Sequence, residues 1–112
     1  MSTVPLEIDV RSVQALRNEA ADFLLLDCRE MDEWQAARID GAKLIPMRKI
    51  PNSLAELEAY RTKSIVVHCH HGGRSLQVTH WLRNQGFALA QNMTGGIDAW
   101  SLHIDPRVPR YS

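Results

Sequence analysis

At 112 residues, with 45% hydrophobic and 23% charged side chains and only 6 Gly and 5 Pro, the chain has the make-up of one compact domain, 1–112. That composition excludes the disordered, collagen-like and low-complexity classes. Thirteen basic and 13 acidic side chains cancel, so the overall charge gives no reason to expect nucleic acid or a membrane as partner.

The charge is unevenly spread, with 7 basic and 11 acidic residues in 1–60 against 6 and 2 in 61–112, where all five histidines also fall. Either an anionic small substrate is drawn to the second segment, or the two segments pack together and neutralise each other; charge counts do not locate a patch. Two cysteines, Cys28 and Cys69, form neither a Cys-x-x-Cys pair nor a disulfide framework, which favours a reducing compartment. The amino terminus has no basic start followed by an apolar stretch, and the longest apolar runs, Phe23 to Leu26 and Phe87 to Ala90, are too short to span a bilayer. A cytoplasmic protein is expected.

Along the chain, short apolar runs alternate with amphipathic stretches. Leu6 to Ile8 reads as a first strand, and Asp9 caps a helix whose apolar positions Val10, Val13, Leu16 and Ala20 recur at helical spacing. Phe23 to Leu26 is apolar on both faces, as in a parallel sheet covered on each side, and runs into Asp27-Cys28-Arg29-Glu30. A short helix through Glu33 and Trp34 follows, then Gly41, an edge strand Ala42 to Ile45, and a turn-rich connection between Pro46 and Pro51. Ser53-Leu54-Ala55-Glu56 has capping-box spacing and starts a helix to about Tyr60. Ser64 to His68 is the clearest strand. A helix from Arg74 to Gln85 stops at Gly86, Phe87 to Gln91 is a last strand, and Gly95-Gly96 opens a final helix containing Trp100. This alternation predicts an α/β domain with a mainly parallel sheet.

In such a sheet, ligands bind beyond the carboxyl ends of the strands, where Cys69 falls. Its thiol is expected at a mouth. Gly72 and Gly73 permit a tight curl that turns the N–H groups between His70 and Ser75 around the sulfur, and the next helix points its positive end to the same place. A model thiol has a pKa of about 8.5, and each unit of depression corresponds to about 1.4 kcal/mol. Dipole and charge-assisted interactions, including one from Arg74, reach about 1 to 3 kcal/mol and so suffice to favour thiolate. Cys69 is therefore the candidate nucleophile, against the alternative of a small buried hydrophobe. A phosphate needs a wider cradle: cysteine phosphatases place one residue more between nucleophile and arginine than the four found here. The shorter ring suits a single extra sulfur.

These residues, with three other segments, resemble the single-domain rhodaneses, thiosulfate-type sulfurtransferases. Asp27-Cys28-Arg29-Glu30 is similar to the family's Asp-x-Arg-Glu, and Cys69-His70-His71-Gly72-Gly73-Arg74-Ser75 fits Cys-x-x-Gly-x-Arg-Ser. Glu33-Trp34 through Arg38-Ile39-Asp40-Gly41-Ala42 with Ile45-Pro46, and Gly95-Gly96-Ile97-Asp98-Ala99-Trp100, match the remaining two segments. Ala37-Arg38 stands where the family usually has Gly-His, and Asp40 where it often has Pro. The resemblance implies a three-layer sandwich with a central, mainly parallel five-stranded sheet flanked by helices. It also implies a two-step exchange through a Cys69 persulfide, with a small anionic sulfur donor and a thiol, cyanide or protein acceptor, and with no cofactor or metal. A monomer is expected. A sulfur carrier that delivers only to a protein partner is the alternative, and a phosphatase or arsenate reductase a more distant one.

Substrate binding is assigned to His70, His71, Gly72, Gly73, Arg74 and Ser75, where Arg74 either contacts the donor or braces the loop. Asp27, Arg29 and Glu33 have the charges for a supporting internal network. Cys28 is expected in the core; a resolving role would need Cα atoms closer than about 7 Å. Zinc or copper on His68-Cys69-His70-His71 is disfavoured because successive strand side chains point to opposite faces. Trp34, Trp81 and Trp100 read as packing residues.

Overall fold

In the computed structural model, which describes residues 4–112, each strand hands the chain to a helix that covers one face of the sheet. Strand β1 (Glu7–Ile8) leads directly into α1 (Val10–Asn18), whose first turn is capped by Asp9 accepting the Ser12 N–H at 2.7 Å. Then come β2 (Phe23–Asp27), α2 (Met31–Ala36), β3 (Lys43–Leu44), a 3-10 turn over Met47–Asn52 and α3 (Leu54–Leu57). The second half holds β4 (Ser64–His68), α4 (Gly73–Asn84), β5 (Ala90–Met93) and α5 (Gly96–His103).

The strands form one sheet in the order β1-β5-β4-β2-β3, with every pairing parallel. Alternation along the strands builds two cores. Leu24, Leu26, Ile65 and Val67 face α4 and the Met47–Tyr60 region, whereas Leu25 and Val66 face Val13, Ile97 and Trp100 of α1 and α5. Ile65, Val66 and Val67 are wholly buried, each removing a side chain from water at a gain of about 1.5 to 3 kcal/mol. The fold is thus the expected three layers around a parallel five-stranded sheet.

Three local expectations are corrected. The last strand is Ala90–Met93, not Phe87–Gln91, because Phe87 lies in the turn that closes α4. Gly86 takes φ +96°, the Phe87 N–H reaches back to the Leu82 carbonyl at 3.0 Å, and the Phe87 ring is buried in the core below α4. At Ser53 no capping box forms. Its hydroxyl donates to the Lys49 carbonyl at 2.9 Å, and the helix that follows is only Leu54–Leu57, continued by a 3-10 turn over Glu58–Tyr60. Glu30 caps a helix instead, with its N–H bonded to the Glu33 carboxylate at 3.1 Å.

Because β4 and β5 insert between β1 and β2, the acidic and basic segments interleave. Glu33 pairs with Arg74 at 2.7 Å and Asp22 with Lys63 at 2.8 Å, so part of the charge asymmetry is neutralised internally.

Candidate active site

Cys69 is the first residue beyond β4, and the chain turns sharply over it at Gly72, where φ is +111° and a side chain would meet the Gly95 amide and Asn92. Gly73 has no such need: it lies at ordinary φ with open space around it, so one glycine of the pair makes the curl. The Gly72 and Ser75 N–H groups approach Cys69 Sγ at 3.1 and 3.4 Å, and the Ser75 hydroxyl at 3.3 Å. The Gly73 and Arg74 amides, in the first turn of α4, precede its first internal bond, from the Leu76 N–H to the Gly72 carbonyl. Of the six amides expected around the sulfur, from His70 to Ser75, two reach Sγ itself.

Burial pushes the Cys69 thiol up, but the Ser75 hydroxyl and amide, the Gly72 amide and the Arg74 charge together hold it below the ordinary thiol value. Cys69 is 1% exposed, so the sulfur sits at the bottom of the loop and not at an open mouth as the sequence suggests. The donors nevertheless face inward, onto it.

Carbonyls on the back of the loop explain that orientation. Cys69 and His70 carbonyl oxygens accept the Ile97 and Asp98 N–H groups at 2.9 and 3.1 Å, so the first turn of α5 pulls them away from the sulfur side. Gly96, at φ +62°, permits the approach; a Cβ there would collide with both carbonyl oxygens. This is the physical content of the Gly95-Gly96 motif. Asn92 on β5, which sequence reading misses, completes the support. Its amide donates to the Gly72 carbonyl at 3.3 Å and to the Glu7 carboxylate at 3.0 Å, and its oxygen lies 2.5 Å from the Ser75 hydroxyl. An asparagine inside a buried strand is a signal only once β5 is placed at Ala90–Met93, since the sequence reading ends that strand at Gln91.

Arg74 is not free. Its guanidinium grips the Glu33 carboxylate at 2.7 and 2.8 Å, and that bond, with the Tyr111 hydroxyl at 2.7 Å, lowers Glu33 to a pKa of about 2. Of the two roles open to Arg74, this geometry is the bracing one. Arg29 and Asp27 are wholly buried and form a second pair at 2.6 Å; Arg29 also donates to the Ala37 and Glu33 carbonyls and to Tyr111. The expected Asp27, Arg29 and Glu33 network therefore exists, but it closes through Tyr111, 78 positions from Glu33 and without any sequence signal. The Tyr111 ring stacks on His70 at 3.9 Å.

His71 is exposed on the outside of the loop. His70, His71 and Asp98 bring ligand atoms within 4.8 Å of one another, but Asp98 already holds Arg110 at 2.8 Å, so a metal ion there would compete with that ion pair. His68 is wholly buried, where desolvation keeps it below its ordinary pKa, and it points away from the Cys69 side of the sheet toward Asp27. Cys28 packs in the core on the Cys69 side, as expected. Trp100 is core, while Trp34 and Trp81 are half-buried.

A parallel α/β sandwich with a cysteine loop of this shape defines a class, and comparison with known proteins supplies it. Residues 9–103 match the Rhodanese-like domain, and the chain belongs to that family. It is 34% identical over 102 residues to a protein of Allochromatium vinosum named "Sulfurtransferase", covering 91% of this chain and 94% of that one. It is 42% identical over 91 residues to "Rhodanese-like/PpiC domain-containing protein 12, chloroplastic" of Arabidopsis thaliana, 78% of this chain but 30% of that longer protein. Among solved structures, a rhodanese-like domain protein from Staphylococcus aureus superposes with a TM-score of 0.80 at 28% identity, covering 96% of this chain and 100% of the other. Among the described residues no helix is long and apolar enough to cross a membrane.

Proposed function

We propose that the chain is a sulfurtransferase that carries sulfane sulfur on Cys69. The observation that carries this reading is the pair of N–H groups, of Gly72 and Ser75, on Sγ at the positive end of α4, beside a Ser75 hydroxyl whose single proton Sγ shares with Asn92 Oδ1. In the first step the Cys69 thiolate attacks the outer sulfur of thiosulfate; the S–S bond of the donor breaks, sulfite leaves with its electron pair, and a Cys69 persulfide anion remains. In the second step an acceptor nucleophile such as cyanide or a thiolate takes the outer sulfur, and Cys69 returns as thiolate.

The Gly73 and Arg74 amides lie in the first turn of α4 and add to its positive end, which favours negative charge on the sulfur. Arg74 contributes its positive field while Glu33 fixes its position. With Cys69 1% exposed, a small donor whose reacting sulfur is terminal, as in thiosulfate, suits the site. No step requires a metal or cofactor.

Thiosulfate-dependent conversion of cyanide to thiocyanate is expected, together with a gain of one sulfur atom at Cys69 by mass spectrometry, and both should vanish in Cys69→Ser. Equal activity in that variant would end the proposal. A carrier that delivers to a protein shares the first step. It is favoured by an apolar groove lined by Ile50, Pro51, Val78 and Trp81 beside Met47, whose amide bonds the Cys28 carbonyl next to the site. Rapid turnover with small thiols alone would count against the carrier.

A further inference from the structure

The second cysteine stands immediately beside the first. The β2–β4 ladder is in register through Asp27 and His68, and it continues one residue further, with the Cys28 N–H on the His68 carbonyl at 3.1 Å. In a parallel pair that bond sets Cys28 opposite Cys69. Neighbouring strands run about 5 Å apart, which lies inside the window of about 4.4 to 6.8 Å that a disulfide requires between Cα atoms. The same parity that puts Leu24, Leu26, Ile65 and Val67 on one face puts both cysteines there, and they belong to one buried cluster. The amides that hold Sγ belong to Gly72 and Ser75, and none comes from β2.

We propose that Cys28 is an internal acceptor that discharges the Cys69 persulfide as hydrogen sulfide. The Cys28 sulfur attacks Sγ of Cys69, not the outer sulfur. A Cys28–Cys69 bond forms, the bond between Sγ and the outer sulfur breaks, and the outer sulfur leaves as hydrosulfide carrying the Cys28 proton. Both cysteine sulfurs end at the disulfide level and the outer sulfur is reduced to sulfide, so no external oxidant enters. Two equivalents of a thiol reductant, leaving as their own disulfide, restore both cysteines. The cycle is a thiol-dependent release of sulfide from a sulfane donor, a different outcome from passing the sulfur on intact.

Burial, with the neighbouring Cys69 charge, pushes the Cys28 thiol up to about 12. Cys28 therefore rests as the neutral thiol, and an acceptor arriving at the loop competes ahead of it. Discharge belongs to the persulfide that finds no acceptor. The inference rests on the persulfide reading above.

The full chain, reduced and then loaded with thiosulfate, is freed of excess donor and held without acceptor or oxygen while its intact mass and released sulfide are followed. The species heavier by one sulfur should give way to one lighter than the reduced chain by two hydrogens, with one sulfide per persulfide. Unreduced peptide mapping of this wild-type material should join the Cys28 and Cys69 peptides. Cys28→Ser and Cys28→Ala should load at Cys69, which certifies their loops, and lose the sulfide release. Equal sulfide release in the variants, a persulfide that persists in the wild-type chain as long as in the variants, or extra sulfur residing on Cys28 would each overturn the inference while leaving the persulfide reading intact. A wild-type chain that never gains sulfur at Cys69 defeats the earlier reading, and this one with it.

Discussion

Ser75 is the residue on which the chemistry of Cys69 turns. It is wholly buried, its N–H reaches Sγ, and its hydroxyl, whose one proton Sγ and Asn92 Oδ1 share, lies 3.3 Å away; these two contributions outrank the Gly72 amide in lowering the thiol pKa. A hydrogen bond to a charged group favours the charged form, so removing the hydroxyl alone should raise the Cys69 titration midpoint. Ser75→Ala followed by the pH dependence of alkylation rate measures this. An unmoved midpoint would mean that the backbone amides alone hold the thiolate. The same residue shows what the sequence conceals: a serine after an arginine at a helix start reads as one more loop position, and its second partner, Asn92, is 17 positions away on a different strand.

At the scale of elements, two helix starts oppose each other across the loop. The first turn of α4 faces the sulfur, and the first turn of α5 holds the carbonyls behind it. Gly96 is where α5 comes closest, and its positive φ and the missing side chain are both needed. Gly96→Ala should destabilise the fold by about 2 kcal/mol or more and cut sulfur transfer with it, since the new methyl must push either α5 or the loop aside. Thermal unfolding and the thiocyanate assay test this together, and a variant with unchanged midpoint and rate would show that α5 does not set the loop. The two glycine pairs are equally visible in the sequence, yet Gly95 and Gly96 are both demanded by backbone and packing, while of the first pair only Gly72 is. The periodicity that located α1, β2 and β4 failed at β5, because Ala90–Met93 has no β-branched residue and Phe87 borrowed the look of a strand while closing a helix.

For the molecule as a whole, the ion pairs around Glu33 tie α2, the start of α4 and Tyr111 together, and their dependence on pH follows from one carboxylate. Glu33 has its folded pKa near 2 against an ordinary value of 4.5, so it stabilises the folded chain above about pH 4.5 and that contribution drains away as pH falls toward 2. With Glu33 mostly covered and Arg74 about a third exposed, solvent screening leaves a contribution of about 1 to 3 kcal/mol. Urea unfolding between neutral pH and pH 2 should show this loss in the wild-type chain. Glu33→Gln should be less stable at neutral pH and flatter across the acid range. Parallel curves for the two chains would remove Glu33 from the account.

What the sequence determined is local: the alternation of strands and helices, the buried double-sided strands, the cysteine loop with its glycine and arginine, and the charges of a supporting network. These follow from neighbours a few positions apart, because backbone sterics, side-chain periodicity and helix starts act over a turn or a strand. Tertiary structure alone decided what meets across the sheet. It brought Glu33 to Arg74, Tyr111 to both arginine networks, Asn92 to Ser75 and Cys28 to the flank of Cys69. Those encounters depend on strand order and register, which are fixed when both faces of the sheet bury their apolar sides at once, and no stretch of chain carries that information by itself.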